Sequence, residues 1–255
     1  VATKTTRGAA SVPEGYDPRD YPVFAVTVDV LVFTLVDDAL HVLLVRRGAE
    51  PYAGRWAIPG GFKHPDETLD DAARRELTEE TGIEAPAVLR QLGAYGDPGR
   101  DPRTNVVTVA YVAVVREVGD IVAGTDAAHA ALVPVAAVLR GRVELAFDHD
   151  RIVRDALDRI RRDLEATGIA TAFVGPTFTL AELRTVYEAV WDVHLDGANF
   201  RRSITAEPGW VVPTGKRATP GPAGGKPPEL FKAGTSWKRG GPIRRPRRTS
   251  GRGVT

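Results

Sequence analysis

The chain has 255 residues, enough for one large domain or two modest ones, and at 43% hydrophobic it has the composition of an ordinary globular protein. It contains no cysteine, which excludes disulfides and thiol chemistry. No apolar run reaches the roughly 18 residues of a membrane span, so a membrane partner is not expected. The net charge of +1 conceals an asymmetry: Gly215–Thr255 holds eleven Lys/Arg against Glu229 alone and carries +10, leaving −9 on residues 1–214. A basic end on an acidic body points to a polyanionic partner, a merely solvated tail being the plain alternative.

In chain order, Val1–Asp20 is polar, contains Pro and Gly and has no apolar signal core; it is expected to be disordered, and with the lack of disulfides it favours a cytoplasmic location. Val23–Leu35 and Leu40–Arg46 are strand-like and rich in Val, joined by a hairpin turn at Val36–Ala39. A loop with Pro51, Gly54, Pro59, Gly60 and Gly61 leads to a helix over Thr68–Thr81, free of Pro and Gly and stopped by Gly82. Strands follow near Ala87–Ala94, Val106–Val118 and Ala131–Val138. Helices interleaved with strands make this an α/β or α+β unit.

A second unit begins at Asp148. His149–Ala166 repeats Ile152, Val153, Leu157, Ile160 and Leu164 at helical spacing. Leu180–Trp191 is a second amphipathic helix and Ala198–Thr205 a third, after a short turn. Trp210–Pro213 and Pro228–Lys232 are short strands flanking a basic Pro/Gly excursion, which is the order of a winged helix-turn-helix. From Lys238 onward the chain is Arg/Gly/Pro-rich. The expected organisation is 1–20 disordered, 21–147 a first domain, 148–235 the winged helix, and 236–255 a disordered basic tail.

The chemistry lies in Gly61–Ile83, GFKHPDETLDDAARRELTEETGI. At about 100° per residue, Glu76, Glu79 and Glu80 share one side of the helix. Three ionised carboxylates so close repel one another unless a cation sits among them, and all-oxygen ligation suits Mg²⁺ or Mn²⁺. Such a cation neutralises charge on a phosphate and acidifies a bound water. Arg75 is placed to pair with Glu67 and hold the loop, while Pro59–Gly60–Gly61 lets a backbone carbonyl approach the ion. An exposed acidic helix face explains the glutamates but not Gly61, Glu67, Arg75 and Gly82 at their offsets.

This pattern resembles the Nudix hydrolase superfamily, with every specified position of its signature met. The resemblance implies an α/β/α sandwich, and water attack on a diphosphate joining a nucleoside to another group. It implies Glu79 and Glu80 as the main metal ligands, assisted by Glu76 and the Gly60 carbonyl. Asp97, Asp101 and Glu117 are candidates for a general base. For the substrate, Arg55, Arg100, Asp101 and Arg103 are candidates, the last three from a loop, GDPGRDPR, that with Pro98 resembles the ADP-ribose-directed branch. Phe147-Asp148-His149 is a further similarity, although His149 by itself reads as a helix N-terminal residue.

Phe178–Arg184, Tyr187-Glu188, Asp196, Asn199–Arg202 and Gly225–Phe231, with the start Tyr21–Asp29, are similar to the Nudix-related transcriptional regulators of NAD metabolism. Thr179 is then a helix N-cap at the DNA-binding motif. Asn199, Arg201 and Arg202 open a recognition helix, Asn suiting adenine and Arg guanine or phosphate. Lys216 and Arg217 on the wing add salt-sensitive attraction to phosphates. The expected protein is a cytoplasmic homodimer with an α+β fold, a Nudix sandwich followed by a winged helix-turn-helix. It binds an ADP-ribose-like ligand and double-stranded DNA, and hydrolyses the ligand as a second capacity. The rival is a stand-alone ADP-ribose pyrophosphatase whose C-terminal domain serves oligomerisation.

Overall fold

The structure, a computed structural model, describes residues 13–84, 86, 89–121, 127–219, 226–235 and 243–246, without the side chains of 127 and 128. Much of the N-terminal stretch expected to be disordered lies outside these residues, but Pro18–Asp20 forms a 3-10 turn. Asp17 caps it by accepting from the Arg19 amide at 2.9 Å.

The Val-rich segment forms β1, Ala25–Val36, and turns directly into β2, Ala39–Arg47. Asp37 and Asp38 make that turn at φ 48° and 59°, the left-handed pair that a two-residue hairpin needs to match strand twist. Two short strands follow, β3 (Trp56–Ala57) and β4 (Gly60–Phe62), and then helix α1, Leu69–Thr81. Thr68 and Asp71 form a capping box at the head of α1, and Gly82, at φ 69°, ends it.

Beyond α1 come β5 (Arg90–Tyr95), β6 (Val106–Val114) and β7 (Ala127–Pro134). In sheet order the strands run β3-β2-β1-β6-β5, with β4 paired to β1 and β7 to β2. Of the pairs in this sheet only β1 and β6 are parallel. The strand expected to reach Val138 ends at Pro134, which has no N–H to continue the ladder; Val135–Leu139 is instead a short helix, α2.

α1 covers one face of the sheet through Ala72, Ala73 and Leu77 against Val28, Val30 and Val32. The other face, Leu31, Phe33, Val42 and Leu44, packs under α3, His149–Ala166. This is the α/β/α sandwich expected from the sequence.

The core beneath α3 does not stop at the sheet. It continues into α4 (Leu180–Trp191), α5 (Gly197–Ala206) and the hairpin β8–β9 (Val211–Arg217, Glu229–Ala233). The boundary drawn before Asp148 thus falls at the head of a helix that serves both units. Tyr187 packs edge-on against Trp191 and Phe200 at 4.9 and 5.6 Å, locking α4 to α5. Phe178 and Phe231 exchange two backbone hydrogen bonds, 2.9 and 2.8 Å, joining the entry to α4 to β9. β8 is longer than expected, carrying Lys216 and Arg217 out along the wing.

Candidate functional site

A cleft of about 520 Å³ opens between α1 and the loops that precede β6 and α3. Its lining includes Glu76, Glu79, Glu80, Arg75 and Gly60, and also Arg100, Asp101 and Arg103. The helix period brings the three glutamates together, and α1 is held at its loop by Arg75. This guanidinium donates to Glu67 Oε1 and Oε2 at 2.7 and 3.0 Å, to Glu76 at 2.7 Å, to Glu79 at 3.0 Å and to the Phe62 carbonyl at 3.1 Å. Those bonds, with one from the His64 amide, hold Glu67 down at about 2. Gly60 is obligatory, because a Cβ there would strike the Val28 carbonyl; at Gly61 it would lie 2.5 Å from Glu76 Oε1 and displace that carboxylate.

Glu80 accepts from the Gly60 amide at 2.9 Å. Burial nonetheless pushes its carboxyl up to about 7, and burial also raises Glu76. Among the described residues no three acidic or histidine side chains already converge on one point, since Glu76 and Glu79 face Arg75 and Glu80 faces Gly60. The donor chemistry still fits a hard divalent cation. Desolvated carboxylates of one helix, costly when charged, are relieved by such an ion after side-chain rotation alone.

The floor of the cleft is a buried polar cluster. Asp29, a lone carboxylate in the apolar strand β1, accepts from Thr108 Oγ1 at 2.7 Å. His149, the first residue of α3, accepts the Ile58 N–H on Nδ1 at 2.9 Å and faces Asp29 through Nε2 at 3.7 Å. Full burial lowers its pKa, so the ring is neutral with its proton on Nε2. Arg100 forms a two-point pair with Asp148, at 2.7 and 3.1 Å, and lies 3.9 Å from Asp29.

At the mouth, Phe147 adopts φ 54°, with Arg47 and Arg103 over its ring at 4.9 and 5.8 Å. Arg47 makes no ion pair among the described residues. Burial, then the charge of Arg103, depresses its pKa. A desolvated guanidinium of this kind attracts an anion.

The other expected site residues separate. Arg55 is not in the cleft lining; it pairs with Glu144 at 3.6 Å and lies over Tyr52. Of the base candidates, Asp97 pairs with Arg151 and Glu117 with Arg116, both away from the cleft. Asp101 lines it, but Arg103 donates to it three times, at 2.9, 3.0 and 2.7 Å. Burial alone raises the Asp101 pKa, and those bonds outweigh it and hold the carboxyl below its usual range. Asp29 and Arg47 belong to the cleft and are absent from the expected set, while Phe147 and His149, singled out only by similarity, line it as well. The legible signal was the single acid amid the valines of β1.

In the C-terminal unit, Thr179 is buried and its hydroxyl is engaged with Glu182 in a capping box, so it positions α4 and leaves the DNA-contact set. Asn199 and Arg202 are exposed on the first turns of α5 and hydrogen-bond to each other. Arg201 is tied to Glu229 of β9 at 3.2 Å. Lys216 is exposed, while Arg217 donates to the Pro227 carbonyl at 2.8 Å. Residues 220–225 of the wing and most of the expected basic tail lie outside the described residues.

Residues 25–156 match the NUDIX domain, and residues 170–233 match the NrtR DNA-binding winged helix domain. An ADPR responsive transcriptional repressor, NtrR, of Acinetobacter baylyi is 33% identical over 219 residues, 85% of either chain. NrtR of Shewanella oneidensis, solved in complex with a 27mer DNA, superposes at TM-score 0.69 with 29% identity, covering 84% of this chain and 98% of that one. The isolated NUDIX domain of the same regulator, solved with ADP ribose, superposes at TM-score 0.51 with 35% identity, over 57% of this chain and 94% of that one.

Proposed function

The chain belongs to the NUDIX family, in the group that carries an NrtR DNA-binding winged helix, and on that premise we propose an ADP-ribose-responsive transcriptional repressor. Its NUDIX cleft binds ADP-ribose, its α4–α5–wing unit binds double-stranded DNA, and occupancy of the first sets the affinity of the second. Genes of NAD metabolism are the proposed targets. The observation that carries this reading is the union, in one continuous core, of an intact carboxylate cleft and a recognition helix presenting Asn199 and Arg202 to solvent.

Arg47 and Arg103 are positioned to receive the diphosphate, and Phe147 between them offers a face for a base or sugar. Glu79, Glu80, Glu76 and the Gly60 carbonyl would hold Mg²⁺ or Mn²⁺. Bound there, the ion neutralises phosphate charge and acidifies a water for hydrolysis to AMP and ribose 5-phosphate. Arg75 keeps Glu76 and Glu79 in place at the head of that chemistry. Because Asp101 is locked by Arg103, no free carboxylate on the later loop stands ready as a base among the described residues. This supports ligand sensing as the primary role and turnover as a slower one.

A row of exposed apolar side chains, Tyr21, Val23, Phe24, Val26 and Phe62, supports a homodimer. A cytoplasmic location is part of the proposal, since the DNA to be bound is chromosomal. The test is a salt-dependent mobility shift on duplexes enriched from a random pool by the full-length protein. Tight binding at moderate salt, relieved by ADP-ribose, is expected. Absence of any salt-sensitive shift would leave only the stand-alone hydrolase.

A further inference from the structure

Asp148 stands at the N-cap of α3, yet its carboxylate makes no capping hydrogen bond. Its φ and ψ, −99° and 22°, also depart from the extended backbone usual for a cap. The carboxylate is instead held by Arg100, at 2.7 and 3.1 Å. Arg100 comes from the loop before β6, lines the cleft, and has a side chain only 5% exposed. Its second acidic neighbour, Asp29, is already occupied by Thr108 and faced by His149. The His149 and Arg151 amides at the start of the helix already donate to the Ala146 and Asp148 carbonyls. Asp148 therefore has two mutually exclusive roles, as partner of a cleft arginine or as side-chain cap of the Asp150 amide.

α3 has 18 residues, a rod of about 27 Å. Its far end is bonded to the winged helix. Arg161 Nε donates to the Val190 carbonyl at 3.0 Å, and Trp191 Nε1 donates to the Arg161 carbonyl at 3.2 Å. The basic C-terminal segment docks at the same junction, with the Arg245 amide on Glu165 at 3.0 Å and its guanidinium on the Trp191 carbonyl at 3.2 Å.

We propose that the Arg100–Asp148 pair is the switch contact that conveys occupancy of the cleft along α3 to the winged helix. The inference rests on the reading above that the cleft takes an anionic nucleoside diphosphate. A diphosphate in the cleft competes with Asp148 for Arg100. Once released, Asp148 caps α3, and the head of the helix resets from the observed backbone towards a capped one. Because α3 is packed along its whole length and tied to α4 at Val190 and Trp191, that change is carried to the base of the DNA-binding unit. Arg100 senses, Asp148 positions, and neither needs to take part in hydrolysis. The two arrangements supply the differential contact that a ligand requires to shift an equilibrium.

The test is amide hydrogen exchange on the full chain, with and without ADP-ribose and Mg²⁺, in the wild type, Asp148→Ser and Trp191→Phe. Serine caps a helix but cannot form the two-point ion pair. Phenylalanine removes the indole N–H that donates to the Arg161 carbonyl together with part of a fully buried ring, so Asp148→Ser is the deciding variant. In the wild type, ligand is expected to slow exchange around Ile58–Phe62 and to change it at least threefold at the last turns of α3 and α4. Both variants are expected to keep the cleft response and lose the distant one. A distant response retained in Asp148→Ser, or a wild-type cleft response with none at the junction, overturns the inference alone. No cleft response in the wild type overturns the ADP-ribose reading beneath it.

Discussion

The guanidinium of Arg75 grips Glu67 at two points, 2.7 and 3.0 Å, across the loop that carries the chain into α1. The same group reaches Glu76 and Glu79, so a single cation ties the loop to the carboxylate face of the helix. Replacing it by glutamine removes the charge that keeps these three acids in register. Support of this kind for a metal site is worth roughly 10–100-fold in affinity. Arg75→Gln is expected to weaken ADP-ribose binding in Mg²⁺ by at least about tenfold, read by titration calorimetry.

Glu80 gives the protein a pH dependence of known sign. Burial lifts its folded pKa to about 7 from the ordinary 4.5, so between those values the native state holds a proton that the unfolded chain has lost. Through this group the metal-free protein loses of order 2–3 kcal/mol of stability between pH 5 and pH 8, accumulating as the pH rises from 4.5 through 7. The buried neutral His149, whose pKa is lowered, opposes it in the acid part of that window. Glu67 works in the opposite direction only in strong acid, where its stabilisation is lost towards pH 2. Urea unfolding in EDTA from pH 5 to 8 is expected to show the loss. Mg²⁺ should reverse it at pH 8, and Glu80→Gln should remove this component of the profile.

If the glutamates hold the metal, Glu79→Gln and Glu80→Gln each reduce Mg²⁺-dependent AMP release from ADP-ribose by about a hundredfold. Operator binding without ligand should stay within about threefold of wild type, since neither residue touches the winged helix. Unchanged AMP release, followed by chromatography, would remove these residues from the catalytic assignment.

On the recognition helix the arginines are unequal. Arg202 is exposed and, among the described residues, held only by Asn199, whereas Arg201 is paired with Glu229 and lies over Phe231. Arg202→Ala is expected to weaken DNA binding and reduce the salt slope by about one if it meets a phosphate. Arg201→Ala should act chiefly through the seating of β9. Fluorescence anisotropy from 50 to 300 mM salt separates the two.

Thr179 tests a structural assignment. Its hydroxyl and the Glu182 carboxylate cap α4 reciprocally, so Thr179→Ala should cost about 1 kcal/mol of folding stability. The affinity of the folded protein for DNA should not change. A tenfold or larger loss of affinity in the folded variant would return Thr179 to the DNA contacts.

The glutamate cluster, its arginine and the two flanking glycines were legible because a helix converts spacing into a face. Gly61 and Gly82 each answer a local requirement, clearance for Glu76 and a left-handed stop. The hairpin at Asp37-Asp38 and the amphipathic α3 and α4 were readable for the same reason. Arg55 was misassigned to the cleft because sequence places it in the right loop without saying which way it points. Glu144, far along the chain, pairs with it instead.

By itself, then, the sequence determined the chemistry of α1, the run of strands and helices, and the presence of a basic winged helix, all of which rest on short-range periodicity and local backbone preference. Only the tertiary structure decided that Asp29 and Arg47 share the cleft with Phe147 and His149, that Asp101 is locked by Arg103, and that Asp148 serves Arg100 rather than its own helix. Those relationships join residues from separate strands and loops. Their partners are chosen by packing and by competition among buried charges, for which spacing along the chain carries no signal.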